Sequence, residues 1–205
     1  MIRRGPPVVD WAVASRAYPD QVESGDRHLV APFRAGVLLA AVDGLGHGSE
    51  AALAACTALE VLEAHRAEPV VELVRRCHKA LAATRGAVMS LASVDALART
   101  LSWIGVGNVE GVLLRANPGA DPPRQTLLLR GGVVGYQMPG LRAALLRIAP
   151  GDTLILATDG IRSDFATHLD PAAPPRQIAD RILTEHGRTP DDALVLVARF
   201  PRVAR

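Results

Sequence analysis

The chain has 205 residues, which is enough for one domain with a substantial core. Its hydrophobic fraction of 49% and charged fraction of 21% are ordinary for a globular protein. The formal net charge is only +2, and the basic residues, nearly all arginine, are spread along the chain without interleaved aromatic residues. This pattern argues against a nucleic-acid-binding or membrane-binding surface, so we expect neither partner.

Cysteine usage and hydropathy predict a cellular compartment. Cys56 and Cys77 lie in segments that are predicted to be helical, without the spacing of a disulfide framework, so we expect both thiols to be reduced and buried. No apolar run approaches the roughly 20 residues needed to span a bilayer, and the first residues lack the apolar stretch of a signal peptide. We therefore expect a soluble, cytoplasmic protein with a single catalytic domain over residues 1–205.

The first part of the chain predicts three strands followed by two helices. Apolar stretches at residues 8–17 and 28–33 flank a polar turn, and the continuous apolar run at 36–42 is typical of a strand covered on both faces. Pro69, a residue suited to a first helical turn, begins a second helix that ends at Arg85. The first helix is indicated by four apolar residues at helical spacing: Leu53, Cys56, Leu59 and Leu62.

The rest of the chain is rich in predicted strands. A short helix at 161–167, a helix at 176–186 and a last strand at 193–200 complete it. This order of elements predicts an α+β fold in which two stacked, mainly antiparallel β-sheets are flanked by helices. Segments separated by Gly, Asn, Pro and Asp give the intervening strands: 87–94, 100–106, 109–115, 125–129 and 153–158.

Acidic residues recur where apolar strands begin or end. Asp43 and Asp159 each follow a strand and precede a glycine, and the pair Asp191-Asp192 immediately precedes the last strand. Each motif alone is commonly a turn or a helix cap. Carboxylates gathered at one sheet edge would repel one another unless a cation lay between them. Oxygen ligands, including the carbonyl of Gly44, suit Mg²⁺ or Mn²⁺ better than zinc.

The collinear set of motifs resembles the type 2C (PPM) metal-dependent Ser/Thr phosphatases, and is most similar to their bacterial SpoIIE-like branch. The resemblance runs from about residue 10 to residue 200, and the set is far more specific than any one member. The motifs that carry it are Ser24-Gly25-Asp26, Asp43-Gly44-Leu45-Gly46-His47-Gly48, Arg85-Gly86-Ala87, Gly105-Val106-Gly107-Asn108, Thr158-Asp159-Gly160 and Asp191-Asp192.

The resemblance implies a role for each matched residue. Asp43 would bridge two Mn²⁺ or Mg²⁺ ions, and the carbonyl of Gly44 would bind one of them. Asp159 and Asp191 would be further metal ligands, with Asp192 open as the alternative to Asp191. Asp26 would hold metal-bound water through a hydrogen bond. The paired cations would activate this water for in-line attack on phosphorus, so the catalytic residues would be Asp26 and Asp43.

Four positions need separate interpretation. Gln21 stands where many eukaryotic members carry an arginine that grips the phosphate, so phosphate binding here would depend on metal alone. Asn108 replaces an aspartate of the usual Val-Gly-Asp motif, which puts a third metal in doubt. Leu194 replaces the customary threonine after the acidic pair. His47 is either a general acid or a hydrogen-bonding turn residue.

Chain length suggests the substrate class. Because the chain has no room for a sensor, receiver or membrane module, it resembles the stand-alone stressosome phosphatases of the branch. That implies phosphorylated STAS-domain proteins of the stressosome (RsbR- or RsbS-like) as partners, or alternatively an RsbV-type anti-anti-sigma factor. A catalytically silent binding module on the same fold is a second hypothesis. A GHKL-type kinase is a poor one, because its Asp-x-Gly-x-Gly loop would need glycine in place of Leu45.

Overall fold

The protein is a sandwich of two β-sheets with helices on both outer faces. A computed structural model describes residues 8–19, 21 and 23–201. Residues 20 and 22, which belong to the predicted first turn, lie outside the described residues. Residues 1–7, where we expect no signal peptide, lie outside them as well. The layered architecture confirms the α+β fold predicted from the order of elements.

Two sheets are formed by the described residues. The first has the order β1 (Asp10–Arg16), β11 (Ala193–Arg199), β10 (Thr153–Ala157), β6 (Glu110–Leu114) and β7 (Arg124–Thr126). The second has the order β2 (Asp26–Phe33), β3 (Gly36–Gly44), β4 (Ala87–Asp95), β5 (Thr100–Val106) and β8 (Leu129–Arg130), with β9 (Ala144–Arg147) pairing with β5. All pairings are antiparallel except β5 with β8.

Helices cover the outer face of each sheet. α1 (Ser49–Ala64) and α2 (Val70–Ala80), which runs into a short 3₁₀ turn at Leu81–Ala83, pack on the second sheet. α3 (Pro175–His186) packs on the first sheet. No helix in the described part of the chain has the length and apolar character needed to cross a membrane.

β3 shows why a continuous apolar run forms a central strand. Successive side chains of a strand point to opposite faces, and both faces of β3 are covered. One set of its residues packs into the core between the sheets, namely Val37, Leu39 and Ala41. The alternate set packs beneath α1 and α2, namely Leu38, Ala40 and Val42.

Several sequence predictions of elements are wrong in detail. The predicted strand at 125–129 is divided, because β7 pairs with β6 in the first sheet while Leu129 pairs with Gly105 in the second. The predicted helix at 161–167 is a series of turns, in which Phe165 N–H donates to the carbonyl of Arg162. β9 was not predicted.

The predicted apolar face of α1 is also wrong in part. Leu53 is 61% exposed and Cys56 is exposed, so only Cys77 of the two thiols is buried. Apart from Leu62, the buried residues of α1 are alanines, which allow the helix to approach the sheet closely: Ala51, Ala52, Ala54, Ala55 and Ala58.

Candidate metal centre

The predicted acidic residues reach one edge of the sandwich from both sheets. In the second sheet, Asp26 at the start of β2 pairs directly with Asp43 near the end of β3. In the first sheet, β10 and β11 are antiparallel, so Asp159, just after β10, and Asp191, just before β11, lie at the same edge. Strand pairing therefore brings together residues that are far apart in sequence.

These carboxylates share one cavity. All four line it together with Asp192, and the described lining residues include no lysine, arginine or histidine. The other residues of the lining are Leu45, Gly46, Val88, Gly107, Asn108, Gly131, Gly132 and Val133. Among the residues that the structure describes, the cavity is thus lined by acidic and not by basic side chains.

The electrostatics of the site disfavour the ionised state. Burial raises the pKa of Asp26 to about 7 despite a hydrogen bond from Thr158. Burial, followed by repulsion from Asp26, raises the pKa of Asp43 to about 8. Burial also raises the pKa of Asp191, and Asp159 adds repulsion. Bound cations would relieve both effects, since they replace lost solvation and offset the negative charge.

The donor chemistry of the cavity fits hard divalent cations. Its charged groups are all carboxylates, which are preferred ligands of Mg²⁺ and Mn²⁺. The residues that the structure describes contain no group of three or more His, Cys, Asp or Glu side chains already arranged to hold an ion. The assignment of Asp43, Asp159 and Asp191 as ligands of two ions therefore stays a prediction.

The adjacent residues Asp191 and Asp192 have different surroundings. Asp192 is 6% exposed, and its two carboxylate oxygens accept backbone N–H groups of Tyr18 at 2.8 Å and Gly25 at 2.9 Å. Asp191 is half-buried at the cavity. Asp192 thus ties the segment between β1 and β2 to the site, which favours Asp191 as the ligand of the pair.

Asn108 has a definite contact in the cavity. Its amide Nδ2 donates to Oδ2 of Asp159 at 2.8 Å. An aspartate at position 108 could not donate this hydrogen bond and would add charge beside Asp159. The amide therefore partly compensates the carboxylate cluster.

Gly44 and His47 are neighbours in sequence of residues that line the cavity, but they are not among the lining residues themselves. A Cβ on Gly44 would lie 2.0 Å from the carbonyl oxygen of Ala51, so the turn requires glycine for α1 to pack closely. His47 is exposed and its ring stacks on Tyr18, with centroids 5.1 Å apart. The predicted metal contact of the Gly44 carbonyl and the acid role of His47 stay untested.

Sequence reasoning missed Thr158, whose hydroxyl lies 2.6 Å from Oδ2 of Asp26. The threonine belongs to the motif Thr158-Asp159-Gly160, but the sequence gives it no role of its own there. Its position next to an acidic residue was a signal, but its partner is 132 positions away in sequence. Only the packing of the two sheets reveals this contact.

The fold and the acidic cavity define the class of the protein. A family profile described as Stage II sporulation protein E (SpoIIE) matches residues 34–201. The chain belongs to the SpoIIE family of PP2C-type phosphatases.

Individual relatives agree with this assignment. Phosphoserine phosphatase RsbX of Bacillus subtilis (strain 168) is 23% identical over 165 residues, covering 80% of this chain and 81% of the relative. The solved structure of RsbX in complex with magnesium is similar, with a TM-score of 0.83, 21% identity and coverage of 96% of this chain and 97% of the other.

A chain from a structural study of the bacterial stressosome, described as a modular system adapted to control secondary messenger signaling, is similar as well. It has a TM-score of 0.84 and 30% identity, covering 93% of this chain and 99% of that one. The similarity therefore extends over nearly the whole length of both chains.

Proposed function

We propose that this protein is a metal-dependent phosphatase of RsbX type that removes phosphate from serine or threonine of STAS-domain stressosome proteins in the cytoplasm. The observation that carries the proposal is the convergence of Asp26, Asp43, Asp159 and Asp191 from two sheets on one cavity, whose described lining residues include none that is basic. Family membership and the similarity to RsbX support the reaction class. The stressosome relative supports the substrate class.

The cavity residues would divide the work of the reaction. Asp43, Asp159 and Asp191 would hold two Mn²⁺ or Mg²⁺ ions, which when bound supply Lewis-acid activation of water and stabilise charge on the phosphoryl group. Asp26, with one oxygen fixed by Thr158, would accept a hydrogen bond from the attacking water. Asn108 would orient Asp159 through its amide.

Activity against a small phosphomonoester tests the reaction class. Wild-type protein should hydrolyse p-nitrophenyl phosphate with Mn²⁺ and lose this activity in chelator. Asp43→Asn and Asp159→Asn should each abolish turnover while circular dichroism stays unchanged, because they remove charged ligands without changing side-chain shape.

Asp180→Asn is the matched control, since Asp180 is an exposed residue of α3 paired with Arg176. It should remain fully active. Full activity in either cavity variant would contradict the ligand assignment, and silence of the wild type both with metal and with chelator would favour a binding module.

Incubation with purified phosphoproteins tests the substrate class. Phosphorylated STAS proteins of RsbR and RsbS type should lose phosphate faster than a phosphorylated RsbV-type anti-anti-sigma factor, as followed by mass spectrometry. Preference for the RsbV-type protein would keep the phosphatase and replace its target.

A further inference from the structure

Thr158 forms a buried link between the two sheets at the acidic cavity. It directly follows β10 of the first sheet and is 2% exposed. Its hydroxyl lies 2.6 Å from Oδ2 of Asp26, which begins β2 of the second sheet. The backbone N–H of Leu194, in β11, donates to the same hydroxyl oxygen at 2.9 Å.

This arrangement determines where the hydroxyl proton lies. A hydroxyl has one proton to donate, and an amide N–H can only donate, so the Leu194 contact uses a lone pair of Oγ1. Two acceptors then compete for the proton, Asp26 Oδ2 at 2.6 Å and the carbonyl of Leu194 at 3.4 Å. Bound cations would keep Asp26 ionised, and the shorter contact is then in the range of a charge-assisted O–H···O⁻ bond, so Thr158 donates to Asp26.

The same bond restrains the carboxylate of Asp26 at the cavity. In the described part of the chain, Thr158 is the residue that hydrogen-bonds to the Asp26 side chain, through Oδ2. Asp26 lines the cavity and pairs in register with Asp43. The hydrogen bond to Oδ2 restrains rotation of the carboxylate and leaves Oδ1 available as an acceptor.

We propose that Thr158 is a positioning residue that aligns the Asp26 carboxylate, while the Leu194 amide donates a hydrogen bond to the Thr158 hydroxyl oxygen. The inference rests on the proposed function, because it assigns how Asp26 is prepared for its role there. It also explains why Leu194 is acceptable where the family pattern has threonine. The Leu194 side chain packs in the core between the sheets, and its backbone supplies the hydrogen bond.

Two substitutions at position 158 separate the hydroxyl from the packing. Thr158→Val keeps the shape of the side chain and removes the proton, whereas Thr158→Ser keeps the proton and removes a methyl group. Partners that orient metal-site residues typically contribute about 10–100-fold in metal affinity or activity. Thr158→Val should therefore lose about 10–100-fold in Mn²⁺ affinity and in kcat/KM for p-nitrophenyl phosphate.

Thr153→Val is the matched control. Thr153 is fully buried at the opposite end of β10, where its hydroxyl contacts the Gly151 carbonyl and accepts a hydrogen bond from Arg199. Thr158→Ser and Thr153→Val should both retain Mn²⁺ affinity and kcat/KM close to wild type. If Thr158→Val does not fold, Thr158→Ala removes the hydroxyl without filling its space and should show the same loss.

Mn²⁺ affinity, measured by titration calorimetry without substrate, keeps this inference separate from the proposed function. If the wild type binds Mn²⁺ but hydrolyses nothing, the phosphatase proposal fails while the affinity comparison still decides the role of Thr158. Wild-type affinity and activity in Thr158→Val would overturn the inference. Equal losses in Thr158→Ser and Thr158→Val would also overturn it, because packing and not the hydroxyl would then be responsible.

Discussion

Asp191 and Asp192 show how adjacent carboxylates acquire different roles from their contacts. Asp192 accepts hydrogen bonds from two backbone N–H groups of the segment that precedes β2. Asp191 is half-buried and lines the cavity. A carboxylate that satisfies buried amides contributes to stability, because its loss leaves donors unpaired. We expect the Asp191 carboxylate, which lies in the charged cluster, to contribute to metal binding instead.

Asparagine substitution at each position separates these roles. Asp192→Asn should lower the free energy of unfolding in chelator by about 1–3 kcal/mol, because the new amide group can accept only through its oxygen. Asp191→Asn should leave that stability nearly unchanged and should abolish Mn²⁺ binding. Urea unfolding with chelator and calorimetry with Mn²⁺ measure the two effects, and the reverse pattern would make Asp192 the ligand.

The residues of the site were predictable from sequence, but their individual contacts were not. Asp26, Asp43, Asp159 and Asp191 could be selected because each lies beside a strand end, and the structure places all four at one cavity. The partners of Asp192 depend on how distant segments pack across the sandwich, which no local pattern encodes.

At the scale of elements, the turn between β3 and α1 determines how the helix approaches the site. Gly44 ends β3, and its N–H donates to the carbonyl of Gly25 at 3.1 Å. The position where a Cβ would project is filled by the carbonyl oxygen of Ala51 in the first turns of α1. The absent side chain is therefore a packing requirement beside Asp43, whatever the carbonyl binds.

Gly44→Ala should displace α1 from the sheet edge. We expect a loss of about 1–3 kcal/mol in unfolding free energy, typical of overpacking in a core, and reduced Mn²⁺ affinity as Asp43 shifts. Gly140→Ala is the control, because a Cβ there would meet no atom within 4 Å. Equal stability of the two variants in denaturant titrations would refute the close approach.

Sequence patterns predict elements well where one face of the element is buried along its whole length. They predict elements poorly where the chain crosses from one sheet to the other. The β3 run and the α2 stripe identified their elements because each buries a continuous face. The segment 125–129 reads as one strand because both of its ends suit a sheet, yet the chain crosses from one sheet to the other near Leu128, which is 73% exposed. Pattern alone carries no information on which sheet receives each end.

At the scale of the whole molecule, we expect the carboxylate cluster to make the free energy of unfolding depend on both pH and metal. The pKa values of Asp26 and Asp43 are raised from 3.8 to about 7 and about 8, mainly by burial. Folded protein without metal therefore holds protons that the unfolded chain has released. Their contribution to stability is complete below about pH 4 and is lost as pH rises through about 7–8.

Metal should reverse this trend, because cation ligands must be deprotonated. In chelator, the melting temperature of the wild-type protein should fall as pH rises from 5 to 8.5. The fall should be smaller for Asp43→Asn, which lacks one of the two carboxyl groups with a raised pKa. The increase produced by Mn²⁺ should grow over about the same range. Scanning fluorimetry measures both, and a wild-type curve parallel to Asp43→Asn in chelator would contradict the raised pKa values.

Anomalous X-ray diffraction at the manganese absorption edge, from crystals grown with Mn²⁺, tests the metal centre most directly. We expect two anomalous peaks in the cavity, with carboxylate oxygens of Asp43, Asp159 and Asp191 at about 2.0–2.6 Å from them. Asp43 should contact both ions, and Asp192 should keep its backbone partners. An ordered map without manganese between these three side chains would contradict the proposed binuclear phosphatase centre.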